Sequence, residues 1–449
     1  MYLQLSARCL LPGGGLGQSL VKKLKQSQFI VLVVSKKADR FLSLLATSSG
    51  SSNILFNKFV TSSPKSLSLE ILSYLLSPQT SDHLLHHALP LYYNIIQAPW
   101  YNWNPKLEAQ IAALIYEQGK KYEFEAFVSN TIHCKSERDL CLFFCELLNS
   151  QANYKSAIGF EETFSHLLNL VDDSSSVYVK RQCRKAMVKG LCQMEKPEMA
   201  EQLMAGKGAL FEYRCVLERY GKMGMLSEME RVLNLLMCTK DYERDTVSFN
   251  MVLGCYGANK ALNKMNEHVK RMKEIGVPFT LRTCNTVLNG CPTLVSLVTE
   301  AEDLAGTSLI EEEQLLVEEM GRSAMGIEGV ASWDETEWKL DLHGMHLGTA
   351  YAAMVVWMEE IERRITSGSQ SAMEVTVVSG VGRHSRTRGE SPLKQLVKKM
   401  IKKMGIPMRR DMRNGGCFVA KGKVIEKWVK TKASTKCTCC QGCCETQPR

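Results

Sequence analysis

Asp341 and His343 stand two residues apart in the segment Leu340-Asp341-Leu342-His343-Gly344. In an extended strand side chains alternate between faces, so the two leucines would enter a core while the carboxylate and the imidazole share the open side. A carboxylate beside a histidine fixes its tautomer and raises its basicity, as a general base acting on a hydroxyl or a water requires. A second stretch, Ser379-Gly380-Val381-Gly382-Arg383-His384-Ser385, follows another strand-like run and is trailed by Arg386 and Arg388. Backbone amides opened by glycines and flanked by cations suit a phosphate. The plain alternatives are a strand-end pair with no catalytic role and a glycine pair that is only a tight turn.

The elements that must position these residues are legible around them. A strand is predicted over 339–343, a helix over about 349–364 and a second strand over 374–379, and strand, helix, strand implies a parallel pair. A further helix opens with Ser391 as N-cap and Pro392 in the first turn. Leu393, Leu396, Val397, Met400, Ile401 and Met404 form its apolar stripe, and Gly405 closes it. Its other face carries Lys394, Lys398, Lys399, Lys402 and Lys403, read either as a solvated face or as a phosphate-binding one. Residues 408–412 and 417–421, joined through Asn414-Gly415-Gly416, read as a hairpin, giving the order βαβαββ.

These three stretches, with the hairpin strand Gly416-Cys417-Phe418-Val419-Ala420-Lys421-Gly422-Lys423 as the third, resemble an Smr (small MutS-related) domain of the plant type over about 338–428. The resemblance implies a nucleic-acid-binding α/β domain, some of whose members nick DNA or cleave RNA. It implicates Asp341 and His343 in the chemistry, carries His384 with them, and sets Gly380 and Gly382 beside the phosphate backbone. Ser379 stands where many members have threonine, and keeps the hydroxyl. Arg383, Arg386, Arg388, Lys398, Lys399, Lys402 and Lys403 are then expected as phosphate contacts. An assisting Mg²⁺ is left open, and no other cofactor is expected.

Charge points the same way. The chain carries 56 Lys and Arg against 47 Asp and Glu, a net +9, yet residues 299–337 are strongly acidic with Arg322 as their only cation. The last domain is therefore basic, which implies a polyanion bound locally rather than a uniformly adhesive surface.

Upstream the sequence repeats. Tyr213-Arg214-Cys215-Val216-Leu217, Phe249-Asn250-Met251-Val252-Leu253 and Cys284-Asn285-Thr286-Val287-Leu288 are offset by about 36 and 35 residues, a solenoid period. Tyr220-Gly221, Leu226 and Met229 recur as Tyr256-Gly257, Leu262 and Met265, so each unit reads as helix, turn, helix. The units resemble pentatricopeptide repeats. In that family stacked first helices line a groove in which each repeat reads about one RNA base, chiefly through its fifth and last residues. The fifth positions here are Arg214, Asn250 and Asn285, and the last ones Asp245 and Thr280. The resemblance implies that Asn250 with Thr280 favours a pyrimidine and that Arg214, outside the code, meets backbone phosphate. All of these are alternatively surface residues of a scaffold.

Residues 1–38 contain no acidic residue but six Lys and Arg, with scattered serines and glycines, as in transit peptides. Chloroplast is expected ahead of mitochondrion. Most of the 17 cysteines fall on helical faces as small apolar residues. The five between 437 and 444 lack paired spacing for zinc, so no metal site is expected. The expected plan is an α-helical solenoid followed by a small α/β domain. It comprises a transit or disordered segment (1–52), degenerate helical repeats (53–180) and regular repeats (181–209, 210–245, 246–280, 281–315). An acidic linker (316–337), the Smr-like domain (338–430) and a disordered Cys-rich tail (431–449) follow. The expected function is binding of single-stranded organellar RNA in processing, stability or translation, alongside other RNA-processing proteins, with endonuclease activity in the last domain. The alternatives are a binding and recruitment module without turnover, or a DNA nickase of organellar nucleoids.

Overall fold

Side-chain caps start some of the helices in the first part of the chain. Asn104 shows how: its side-chain oxygen accepts from Lys106 N at 3.0 Å and Leu107 N at 3.2 Å, and Pro105 supplies the first-turn φ. The computed structural model describes residues 35–47, 52–77, 80–205, 208–239, 245–299, 309–380 and 391–441. The chain divides into two units, 1–174 and 175–449.

The described residues of the first unit form α1 (Lys36–Thr47), α2 (Ser52–Ser62), α3 (Lys65–Leu75), α4 (Asp82–Leu85), α5 (Ala88–Ile96), α6 (Pro105–Glu117), α7 (Lys121–Cys134), α8 (Glu137–Tyr154) and α9 (Ala157–Asp173). Its core includes Ile71, Leu72, Leu91, Ile111, Phe143 and Leu147. Buried Glu108 accepts from Tyr92 Oη at 2.6 Å and from Tyr101, which satisfies a charge that would otherwise be costly to bury.

The second unit opens with four helix pairs: α10 (Val177–Gln193) with α11 (Pro197–Met204), α12 (Leu210–Lys222) with α13 (Leu226–Met237), α14 (Thr246–Ala258) with α15 (Leu262–Glu274), and α16 (Leu281–Asn289) with the short α17 (Pro292–Thr299). The Tyr-Gly dipeptide seen in the sequence has a packing cause. A Cβ on Gly221 would lie 2.2 Å from Cys255 Sγ, and one on Gly257 would lie 2.7 Å from Gly290 Cα. Only glycine lets successive first helices approach this closely. Their tyrosines do equivalent work: Tyr220 donates to Glu201 at 2.9 Å and Tyr256 to Glu230 at 2.8 Å. Arg231 and Lys264 reach the same two carboxylates at 2.6 and 2.8 Å, so each repeat is tied to the one before.

The stretch expected as an acidic linker is ordered structure. Helix α18 (Glu311–Met325) packs on α15, α16 and α19 (Leu347–Thr366). Glu313, fully buried, accepts from Thr293 N at 2.9 Å and Leu294 N at 3.0 Å, capping α17. A Cβ on Gly321 would sit 2.8 Å from Ala352 O, so α18 and α19 touch backbone to backbone. Three glutamates in a row read as solvated surface, yet one of them is a buried cap.

The α/β part comprises β1 (Ala331–Trp333), β2 (Glu337–Asp341), α19, β3 (Glu374–Val378), α20 (Pro392–Met404), β4 (Arg409–Arg410), β5 (Cys417–Lys421) and α21 (Gly422–Gln441). The sheet order is β1-β2-β3-β5-β4, with β2 and β3 parallel and the other pairs antiparallel. The elements expected from the sequence are present, with β1 added from the supposed linker. Residues 431–441 continue α21, where a disordered tail was expected. On β3, Val375, Thr376 and Val377 are all buried, so this central strand is covered on both faces. In α20, Ser391 Oγ accepts from Lys394 N at 3.1 Å and Gly405 takes φ +62°. Lys394, placed by the sequence on the lysine face, is buried at 5% exposure.

Candidate nucleic-acid interface and active site

Asp341 ends β2 in register with Val378, which pairs in turn with Cys417 at the start of β5. Three chain crossings therefore open at one edge of the sheet, the carboxyl end of its parallel strands, where open α/β sheets hold ligands. His343 is not in the strand: it lies in the turn that follows, so it and Asp341 do not meet by strand alternation as the sequence suggested. They meet through an Asx turn instead. Asp341 Oδ1 accepts from His343 N at 2.9 Å and from His343 Nδ1 at 2.9 Å. An ionised carboxylate can only accept, so this contact orients the ring with Nδ1 as the donor and Nε2 turned away from Asp341.

That Nε2 faces the second motif. Gly380 takes φ +78°, and a Cβ there would lie 3.2 Å from His343 Nε2. Glycine is needed at 380 both for the left-handed backbone and for the room it leaves beside the imidazole. Ser379, buried, donates from N and Oγ to Gly416 O at 2.8 and 3.0 Å, which ties the start of the loop to the hairpin turn. The sequence signal for that tie was the Asn414-Gly415-Gly416 turn, whose role as anchor was not legible. The His343 side chain is 66% exposed and that of Asp341 29%, so the free nitrogen is open to a ligand. Gly382, Arg383, His384, Arg386 and Arg388 lie outside the described residues. Lys398, Lys402 and Lys403 are exposed and Lys399 half-buried along α20.

The four groove residues expected to meet RNA have four different environments. Arg214 is occupied: its Nη2 donates to Asp245 Oδ1 at 2.5 Å and its Nε to Asp245 Oδ2 and Ser248 Oγ at 3.3 and 3.2 Å. Burial raises the Asp245 pKa, but the Arg214 and Ser248 hydrogen bonds hold it below the usual carboxylate value. The expectation of a free cation for phosphate gives way to an ion pair between two code positions of one repeat. Asn250 is 7% exposed, and its buried Oδ1 has no hydrogen-bond partner. Thr280 caps α16, accepting from Thr283 N at 3.2 Å. Asn285 is engaged within the molecule: Nδ2 donates to Gly344 O at 3.1 Å and Oδ1 accepts from His346 N at 3.0 Å. The fifth position of the last repeat is bonded to the turn that carries His343, a contact across about 60 residues that no local pattern announces.

Among the described residues no helix is long and apolar enough to cross a membrane. No family model matches the chain. The crystal structure of the maize pentatricopeptide repeat protein PPR10 aligns over 83% of this chain and 67% of that one, at 13% identity and a TM-score of 0.32. A chloroplastic pentatricopeptide repeat-containing protein of Arabidopsis thaliana is 21% identical over 48% of this chain and 38% of its own length. Another pentatricopeptide repeat-containing protein of Arabidopsis thaliana is 42% identical over 429 residues, covering 91% of this chain and 85% of its own. At that identity and coverage, the chain belongs to the pentatricopeptide repeat family.

Proposed function

We propose that this protein binds single-stranded RNA along its helical repeats and cleaves it at the Asp341–His343 site of an Smr-like C-terminal domain, acting in organellar RNA processing. The observation that carries the reading is the geometry at His343. Its Nδ1 is bonded to Asp341 at 2.9 Å, and its Nε2 lies beside Gly380, where the glycine-containing segment begins. A base placed next to a phosphate can take the proton of a ribose 2′-hydroxyl or of a water as that oxygen attacks phosphorus. The glycine-loop amides and its cations would stabilise the charge that develops on the phosphoryl oxygens. DNA lacks the 2′-hydroxyl, and the repeats precede the site in the same chain, so RNA is the substrate this reading favours. The acid-free, basic sequence of residues 1–38 supports an organelle, with the chloroplast preferred.

The binding half is tested by salt. Lysines on α20 that neutralise phosphates release counterions, so RNA affinity of the full chain should fall steeply as salt rises. The double variant Lys398→Glu with Lys402→Glu should flatten that slope by about two phosphate equivalents. An unchanged slope and affinity would show that α20 is solvated surface only.

A further inference from the structure

Asn285 occupies in the terminal repeat the place Asn250 holds one repeat earlier, yet both ends of its side-chain amide are bonded inside the molecule. One turn further along α16, Asn289 Nδ2 donates to His346 Nδ1 at 2.6 Å. One turn back, Leu281 Cδ2 lies 3.2 Å from where a Gly344 Cβ would be. Residues four apart share one helix face, so the face of α16 that carries its fifth position is given to the turn following His343. Gly344 holds φ +74° in that turn. A glycine in the left-handed region is free to leave it unless neighbours specify the conformation, and both Asn285 bonds do so.

We infer that Asn285 is a positioning residue: the terminal repeat has exchanged base reading for holding the turn that carries His343. The reading positions then end at Asn250, and a strand lying along the fifth positions passes from Asn250 to the Asp341–His343 site with no base held at 285. The meaning of this role rests on the RNA reading above, but its test does not depend on turnover.

The experiment compares full-length wild type, Asn285→Leu and Asn285→Asp by hydrogen exchange across 341–348 and by RNA sequence selection. Asn285→Leu should speed exchange of the His346 amide by about tenfold or more, because a bonded amide becomes free, and should leave the selected RNA motif unchanged. Asn285→Asp keeps the acceptor and should keep His346 protected, which separates positioning from a general loss of fold. Unaltered exchange in Asn285→Leu, or a motif that changes at one base, would overturn the inference. Should the wild type select no motif, the RNA reading fails and the exchange comparison alone decides the role of Asn285.

Discussion

Asn250 and Asn285 are the same residue at the same place in consecutive repeats, and their surroundings are opposite. Asn250 has a buried oxygen that no group in the protein satisfies. Asn285 has both ends of its amide satisfied by the α/β domain. An unpaired buried acceptor is a cost of roughly 1–3 kcal/mol that a protein carries without return unless a ligand satisfies it. An amide bonded at both ends stabilises the fold and has less left to offer a ligand. The difference separates a repeat whose fifth residue has an unsatisfied acceptor from a terminal repeat bonded to the domain behind it.

The fusion can be broken most severely at α18. Replacing Glu313 by Ala removes the cap of α17, strands Thr293 N and Leu294 N, and should cost roughly 2–4 kcal/mol. Calorimetry should record a melting temperature lower by about 5–10 °C. A shift under a degree would mean that α18 is attached loosely.

Next in size is the paired substitution of the two asparagines. Asn250→Leu should raise the stability of the free protein by about 1 kcal/mol, by replacing an unsatisfied polar group, while weakening RNA binding. Asn285→Leu should lower stability by about the same amount and leave binding unchanged. Denaturant melts beside affinity measurements read both, and changes of the same sign in the two variants would erase the distinction.

An effect of similar size is set by pH. His268 is buried between Phe249 and Tyr256, its Nε2 unpartnered; burial and then nearby Arg271 push its pKa down to about 4. The unfolded chain protonates this group first, so its contribution is full above about pH 6.5 and is lost as pH falls towards 4. Stability should drop by roughly 1–2 kcal/mol between pH 7 and 5, and His268→Leu should lose that part of the slope. An identical slope in the variant would place the acid sensitivity elsewhere.

The smallest expected effect tests the first of the three fifth positions. Arg214→Gln breaks the ion pair with Asp245 and should cost about 1 kcal/mol of stability, since Val247 N and Ser248 Oγ still bond the buried carboxylate. It should not reduce the salt dependence of RNA binding, because the guanidinium is already neutralised. A reduced slope would return Arg214 to the phosphate contacts.

What the sequence disclosed depended on how local the cause was. The Ser391 cap, the Gly405 stop and the Tyr-Gly spacing are local, and helix positions followed from them. The Asp341–His343 pair was also visible, although its geometry was not: alternation along a strand was expected, and an Asx turn after the strand brings the groups together instead. The role of Glu313 was hidden because charge runs read as solvated, and only the fold shows which carboxylate caps a neighbouring helix. The partners of Asn285 were hidden for the same reason, since they lie 59 and 61 residues away.

The central claim is that one chain binds RNA through its repeats and breaks it with His343 as base. The direct test is single-turnover cleavage of a bound RNA by wild type and His343→Ala full-length protein, with and without Mg²⁺, beside the affinity of each. Loss of a positioned general base should slow cleavage by about 10²–10⁴-fold, while Kd stays within about twofold because the imidazole acts on the reacting proton. Equal cleavage by the two proteins, or none by wild type under either condition, would contradict the account.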